Sequence, residues 1–208
     1  MKKMTRRDLG LVKRLRAERG APPEEALEGS RARLKKWFAA TAPLIQWGEM
    51  PSPLGTLFVA LTDRGLCAVD FGRAQADFLA RLDRQSRLER DTASVRRVID
   101  QLHEYFSARR VSFDLPVDLS ALTPFQREVL VTACRISAGQ VWTYRRVAEV
   151  MGRPKSSRPV GQALAHNPIP IVIPCHRVIA SDGTLGGYSG ASGLDAKRWL
   201  LRLEGAHS

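Results

Sequence analysis

No stretch of the chain approaches the roughly 20 consecutive apolar residues that a membrane span requires. The basic start MKKMTRR runs straight into polar sequence. Neither an anchor nor a signal peptide is therefore expected, and the protein is read as cytoplasmic with no membrane partner. Cysteine is scarce: Cys67, Cys134 and Cys175 are odd in number, far apart, and in no CxxC pair. That pattern argues against both a disulfide framework and a structural zinc site, so the thiols are expected to be reduced. Histidine is scarce as well, and His103, His166 and His207 show no ligand spacing with Cys175. No metal and no cofactor is expected. Internal repeats are lacking. What remains is the texture of a globular protein, 44% apolar and 26% charged, with 208 residues that suffice for one large domain or two small ones.

Acidic residues are the other shortage, and it is uneven. Residues 1–50 hold 12 basic and 6 acidic side chains, residues 51–123 hold 10 of each, and residues 124–208 hold 11 and 5. Basic flanks around a neutral middle are the footprint expected of nucleic-acid binding, because Lys and Arg replace condensed counterions on phosphates. On charge alone, a merely solvated basic surface fits equally well.

Residues 1–42 form a basic amino-terminal extension in which APPEE marks a break and RARLKKWFAA a short amphipathic helix. From Trp47 the texture changes. GTLFVALT and LCAVDF, joined by DRG, read as an antiparallel hairpin. Helical spacing follows over residues 75–85 and 92–109, with Val95, Val98, Ile99, Leu102 and Phe106 on one face. SFDLPVDLSAL, residues 112–122, reads as the connection between domains. The boundaries are placed at 43–116 and 117–208.

In the last third, Thr123, Pro124 and Gln126 make a capping box with proline in the first turn, so a helix starts there. Phe125, Val129, Leu130, Ala133 and Cys134 fall on its inner face, which makes Cys134 a buried core thiol. Thr143 caps a second helix, YRRVAEVM, ending at Gly152 and Pro154. A third, SRPVGQALAHN, is capped by Ser156 or Ser157. Two short helices across a tight turn suggest a helix-turn-helix. Arg158 stands in the first turn of the later helix, where its charge opposes the helix dipole unless an external anion such as a phosphate is present. Gly161, Ala163 and Ala165 keep that helix slim, either for close approach to another surface or for packing on a neighbour.

Within PIPIVIPCHRVI, residues 168–179, Pro168, Pro170 and Pro174 stiffen the backbone around Cys175 and His176. A CH pair alone is most simply a core thiol beside a satisfied histidine. Here prolines bound the run and His176 and Arg177 add polar groups, which favours a nucleophile activated by a neighbouring base. VIASDGT and LGGYSG read as strand-like pieces of a small wing. A closing helix, LDAKRWLLRLEGA, has Trp199, Leu200 and Leu203 as its core face. Glu204 lies at its carboxyl end, where the dipole disfavours a carboxylate; His176 is its expected partner.

PCHRVI, preceded by NPIPIVI and followed by GGYSG and KRWLLRLEGA, closely resembles the O6-alkylguanine-DNA alkyltransferases, or methylated-DNA–protein-cysteine methyltransferases. The resemblance covers about residues 47 to 206. It implies an α+β fold in which a small RNase H-like domain packs on a winged helix-turn-helix domain. It also implies a monomer that binds double-stranded DNA through the minor groove and flips the damaged base. By matching position, Cys175 is the alkyl acceptor, His176 relays its proton through a water toward Glu204, and Tyr144 donates to guanine N3. Asn167 is the hinge of the active-site segment, and Arg158 the finger that fills the vacated stack, with Ser157 and Gly161 beside it on the DNA-binding helix. Val178 and Cys175, by their carbonyls, Tyr188 by its ring and Ser189 by its N–H read the base. The implied function is direct-reversal repair of O6-alkylguanine, with O4-alkylthymine open as a second substrate, each molecule reacting once. A damage sensor on the same scaffold and a cysteine hydrolase are the competing classes.

Overall fold

A computed structural model describes residues 24–82, 85–188 and 193–206. The chain divides into two compact units, residues 1–42 and 43–208. In the first, α1 (Glu24–Thr41) is one helix with Arg31 to Leu34 exposed. It contains the expected RARLKKWFAA helix and begins earlier, within APPEE. None of the helices among the described residues is long and apolar enough to cross a membrane.

The second unit opens with a sheet of strands β1 (Leu44–Ser52), β2 (Gly55–Thr62), β3 (Gly65–Phe71) and β4 (Arg87–Arg90), in the order β3-β2-β1-β4. The anticipated hairpin is β2–β3, with Leu57 opposite Phe71 and Thr62 opposite Gly65. Two strands were not anticipated. β1 pairs antiparallel with β2, and β4, short and exposed, runs parallel to β1. The charged side chains of Arg87, Glu89 and Arg90 make β4 a poor template for further pairing. At the other edge the connecting segment 112–122 covers β3: Leu66 N donates to Pro116 O, and Asp118 N to Leu66 O. Gly65 makes this possible, with φ +132 and a site where a Cβ would lie 2.4 Å from Pro116 O.

Alternation along β2 sends side chains to both faces. Phe58 and Ala60 pack with Ile45, Trp47, Phe78 and Leu82 under α2 (Gln75–Arg81). Leu57 and Val59 join the main core, which includes Val98, Leu102 and Tyr105 of α3 (Arg96–Phe106) and continues into the carboxy-terminal helices. Both helices are shorter than the expected 75–85 and 92–109. Asp91 side-chain oxygens accept from the N–H groups of Ala93 and Ser94 and hold the turn before α3.

The carboxy-terminal part contains α4 (Pro124–Ala133), β5 (Trp142–Thr143), α5 (Tyr144–Val150), α6 (Ser157–Ala165), a 3-10 turn at Cys175–Arg177, β6 (Val178–Ile179) and α7 (Gly193–Leu203). The capping box at Thr123 and Gln126 is present, and Thr143 Oγ1 accepts from Arg146 N. Helices α4, α5 and α6 pack on one another, and β5 pairs parallel with β6. Three expectations are corrected. Cys134 is exposed rather than buried: it caps the carboxyl end of α4 with helical backbone, one residue past the buried Ala133. Ser156 occupies the cap position of α6 without a side-chain capping bond, and Ser157 is already helical. LGGYSG forms no strand over its described residues 185–188: the carbonyls of Leu185 and Gly187 accept from Lys197 Nζ. The inner face of α7 is Ala196, Lys197, Leu200 and Leu201, with Trp199 and Leu203 partly buried beside it.

Candidate active site

Helix α6 ends at Ala165, and the chain folds back beneath it through Asn167. Asn167, 5% exposed, ties this loop together. Its Oδ1 accepts from Ile169 N at 3.0 Å, while Nδ2 donates to Ile173 O at 3.0 Å and to Cys175 Sγ at 3.2 Å. The loop is tight enough to place Ile171 at φ +75. For a β-branched residue that conformation is strained, at a cost of about 1–3 kcal/mol. The prolines, the Asn167 bonds and full burial of Ile171 hold it there.

Cys175 emerges from this mount 5% exposed. It faces a cavity of about 180 Å³ lined by Tyr144, Gly161, Leu164, Ala165, Gly187 and Tyr188. Burial pushes its thiol up from the usual range, partly offset by the Asn167 donor and the positive charge of Lys197. The resting group is a thiol, and reaction requires a base. His176 is wholly buried, which pulls its pKa down despite the hydrogen bond with Glu204, and it rests neutral. Its Nε2 lies 2.9 Å from Glu204 Oε1. The carboxylate acceptor assigns the ring proton to Nε2 and leaves Nδ1 as the basic nitrogen. Among the described residues Nδ1 has no hydrogen-bond partner.

Glu204 is held by more than the histidine. It accepts from Tyr105 Oη at 2.6 Å and from Arg177 Nε and Nη2, each at 2.8 Å. Burial alone would raise its pKa, but the hydrogen bonds from His176, Arg177 and Tyr105 bring it down to about 2. Arg177 in turn donates to Ile136 O at 2.5 Å. Lys197 is a fully buried ammonium. It donates to the carbonyls of Val178 at 2.6 Å, Leu185 at 2.5 Å and Gly187 at 3.4 Å, and burial lowers its pKa to about 8. It clamps the segment after the thiol to the loop that carries Tyr188. Sequence reading missed Lys197 and Tyr105, and noted Arg177 only as a polar group after the apolar run. A lysine on the inner face of an amphipathic helix is a signal that pointed to Lys197.

The remaining expected residues fall around the cavity. Tyr144 stands between Gly161 and Gly186; a Cβ on Gly186, which has φ +64, would lie 2.6 Å from Tyr144 Oη. The Tyr188 hydroxyl is buried with no partner among the described residues, and its ring lies 6.3 Å from that of Phe71. The carbonyl of Val178 is already used by Lys197, with one lone pair remaining. Ser157 and the exposed Arg158 line an open recess beside the cavity, together with Tyr144, Gly161 and Gln162. Ser189 lies outside the described residues. A separate recess of about 340 Å³ includes Cys67, whose thiol is raised to about 11 by burial and donates to Ala60 O. Among the described residues no histidine lines this recess, and the nearby carboxylate of Asp118 adds to the rise of the thiol. Among the described residues no cluster of three His, Cys, Asp or Glu side chains could hold a metal ion.

A buried thiol backed by a histidine–carboxylate pair, set directly beneath a pair of short helices with an exposed arginine, defines a cysteine-nucleophile protein built on a DNA-binding scaffold. Residues 45–119 match the family described as 6-O-methylguanine DNA methyltransferase, ribonuclease-like domain, and residues 124–206 match its DNA binding domain. The chain belongs to this family of methylated-DNA–protein-cysteine methyltransferases. It is 41% identical over 155 residues to the Methanosarcina barkeri protein of that name, covering 74% of this chain and 92% of the relative. It is also 41% identical to the Shigella flexneri one, covering 76% and 94%. Its fold is similar to that of the Mycobacterium tuberculosis OGT crystallised in complex with DNA, with a TM-score of 0.67, 33% identity, and coverage of 78% of this chain and 92% of that one.

Proposed function

We propose that this protein is a direct-reversal DNA repair protein that moves the alkyl group of O6-alkylguanine in duplex DNA onto Cys175 Sγ. The observation that carries the reading is the joining of a cavity-facing Cys175 to the buried His176–Glu204 pair. His176 Nδ1 takes up the thiol proton, through a water, as the Nε2 proton is drawn toward Glu204. The sulfur then attacks the alkyl carbon, the C–S bond forms as the C–O6 bond breaks, and guanine departs with negative charge. Tyr144 donates to guanine N3 and stabilises that charge. The proton lost by the thiol is balanced by the one guanine finally gains. A thioether is not reopened by water or by a neighbouring base, so each molecule reacts once.

In the same reading the base is flipped through the minor groove into the cavity, Arg158 fills the gap in the stack, and Ser157 and Gly161 let α6 approach the duplex. Tyr188, Val178 O and Ser189 N–H read the base, and Asn167 keeps the thiol aimed. We place the domain boundaries at 43–116 and 117–208, read the second domain as a winged helix, and take the protein to act as a cytoplasmic monomer. The test is incubation with duplex DNA carrying radiolabelled O6-methylguanine. Label is expected on the protein at no more than one per molecule and absent from Cys175→Ala; intact DNA binding with no label transferred refutes the proposal.

A further inference from the structure

Glu204 Oε1 is shared by three donors: His176 Nε2, Arg177 Nη2 and Tyr105 Oη. The first two come from the segment that follows Cys175. Tyr105 comes from α3 in the ribonuclease-like part of the chain, 99 residues away in sequence. It is 1% exposed, with its ring packed at 5.4 Å against Phe113 and 5.6 Å against Phe106. A buried phenol needs an acceptor, and here the acceptor is the atom that also holds the proton of His176. Glu204 sits just past the end of α7, its N–H donating to Leu200 O, and its carboxylate is held through its side-chain partners.

We infer that Tyr105 is a positioning residue for alkyl transfer, the group through which, among the described residues, the ribonuclease-like domain reaches the proton relay. Its hydroxyl fixes Glu204 Oε1 opposite His176 Nε2 and shares the charge of that oxygen. The inference rests on the transfer reading above. Without the hydroxyl, more negative charge remains on Oε1, and the imidazolium form of His176 is favoured. The other charged or titratable groups around the pair, Arg177, Lys197, Cys175 and Tyr188, keep their places. A histidine already protonated cannot accept the thiol proton, so removing the hydroxyl carries the acid limb of the rate profile to higher pH.

The experiment measures single-turnover alkyl transfer against pH for wild type, Tyr105→Phe and a protein with a ring-fluorinated tyrosine at residue 105, using both duplex DNA and free O6-alkylguanine base. Phe preserves the ring packing. The expected shift of its acid limb is upward by about one pH unit, the scale of one lost charge-assisted hydrogen bond. The fluorinated phenol, a stronger donor that leaves the fold intact, shifts the limb downward. Both substrates respond alike, because the effect acts on the relay and not on base flipping. Coincident profiles, with only the melting temperature changed, overturn the inference and leave Tyr105 as packing. If wild type itself takes up no alkyl group, the transfer reading fails and this inference falls with it; the wild-type control separates the two failures.

Discussion

Replacing Glu204 by Gln keeps the side chain's shape and removes its charge. Two independent routes give the size of the loss. The carboxyl stands at about 2 in the fold against an ordinary 4.5; at 1.36 kcal/mol per pH unit the difference is worth about 3 kcal/mol at neutral pH. The second route starts from Arg177 and Glu204, whose side chains are only 7% and 2% exposed. Removing one member of such a buried pair strands the other charge, at about 3–5 kcal/mol. Glu204→Gln should therefore cost about 3 kcal/mol in urea unfolding at pH 7. The pH dependence fixes the cause. Because the folded pKa is depressed, the carboxylate's contribution is complete above about pH 4.5 and drains away as pH falls toward about 2, by up to 1.4 kcal/mol per unit. The two proteins should differ by a constant amount from pH 7 to pH 5 and converge below about pH 4.5. A loss under about 1 kcal/mol at neutral pH, or a difference unchanged at about pH 3.5, refutes the account of Glu204 as a buried, multiply bonded anion.

Two further substitutions test the mount and the DNA-facing helix. Asn167→Ala leaves Ile169 N without its acceptor in a buried loop, while Ile173 O keeps the N–H of Cys175, and should cost about 1–3 kcal/mol by calorimetry. It also removes the donor to Cys175 Sγ, so the pH at which Cys175 reacts with a small alkylating agent should rise; a stable variant with unchanged thiol reactivity contradicts the hinge role. Arg158→Ala should slow transfer from duplex DNA far more than transfer from free alkylguanine base, since only the duplex requires flipping. Equal losses on the two substrates would remove the finger role.

Local chemistry made parts of the molecule readable. Thr123, Gln126 and Thr143 act through bonds to backbone three residues away, and their helices begin where the capping pattern places them. The β2–β3 hairpin follows from two apolar runs and a short turn. β1 and β4 were not readable: β1 contains Gly48, Glu49 and Pro51 and is fixed by pairing with β2, while β4 is a short, mostly charged segment that pairs with β1. Periodicity places Cys134 on the inner face of α4 but does not say whether that face is still covered at the helix end, and there the residue is exposed. At the site, His176 and Glu204 could be paired by electrostatic reasoning, since a carboxylate at a helix carboxyl end needs a donor. Tyr105 could not, because nothing near it in sequence distinguishes a tyrosine that donates across the fold from one that only packs. Lys197 makes the same point: its three acceptors are carbonyls of a loop with no regular structure.

The main apolar cluster runs without a break from Leu57, Val59 and Phe71 of the sheet to Leu130, Leu164, Cys175 and Leu200 around the thiol. The two family domains thus share this interior, beside a second cluster under α2 that belongs to the ribonuclease-like part alone. Opening the ribonuclease-like half necessarily exposes the apolar surface that keeps the thiol dry, so the two halves form one cooperative unit. Leu57 and Cys175 belong to one packed cluster, so a cavity opened at Leu57 is expected to loosen the packing that surrounds the thiol.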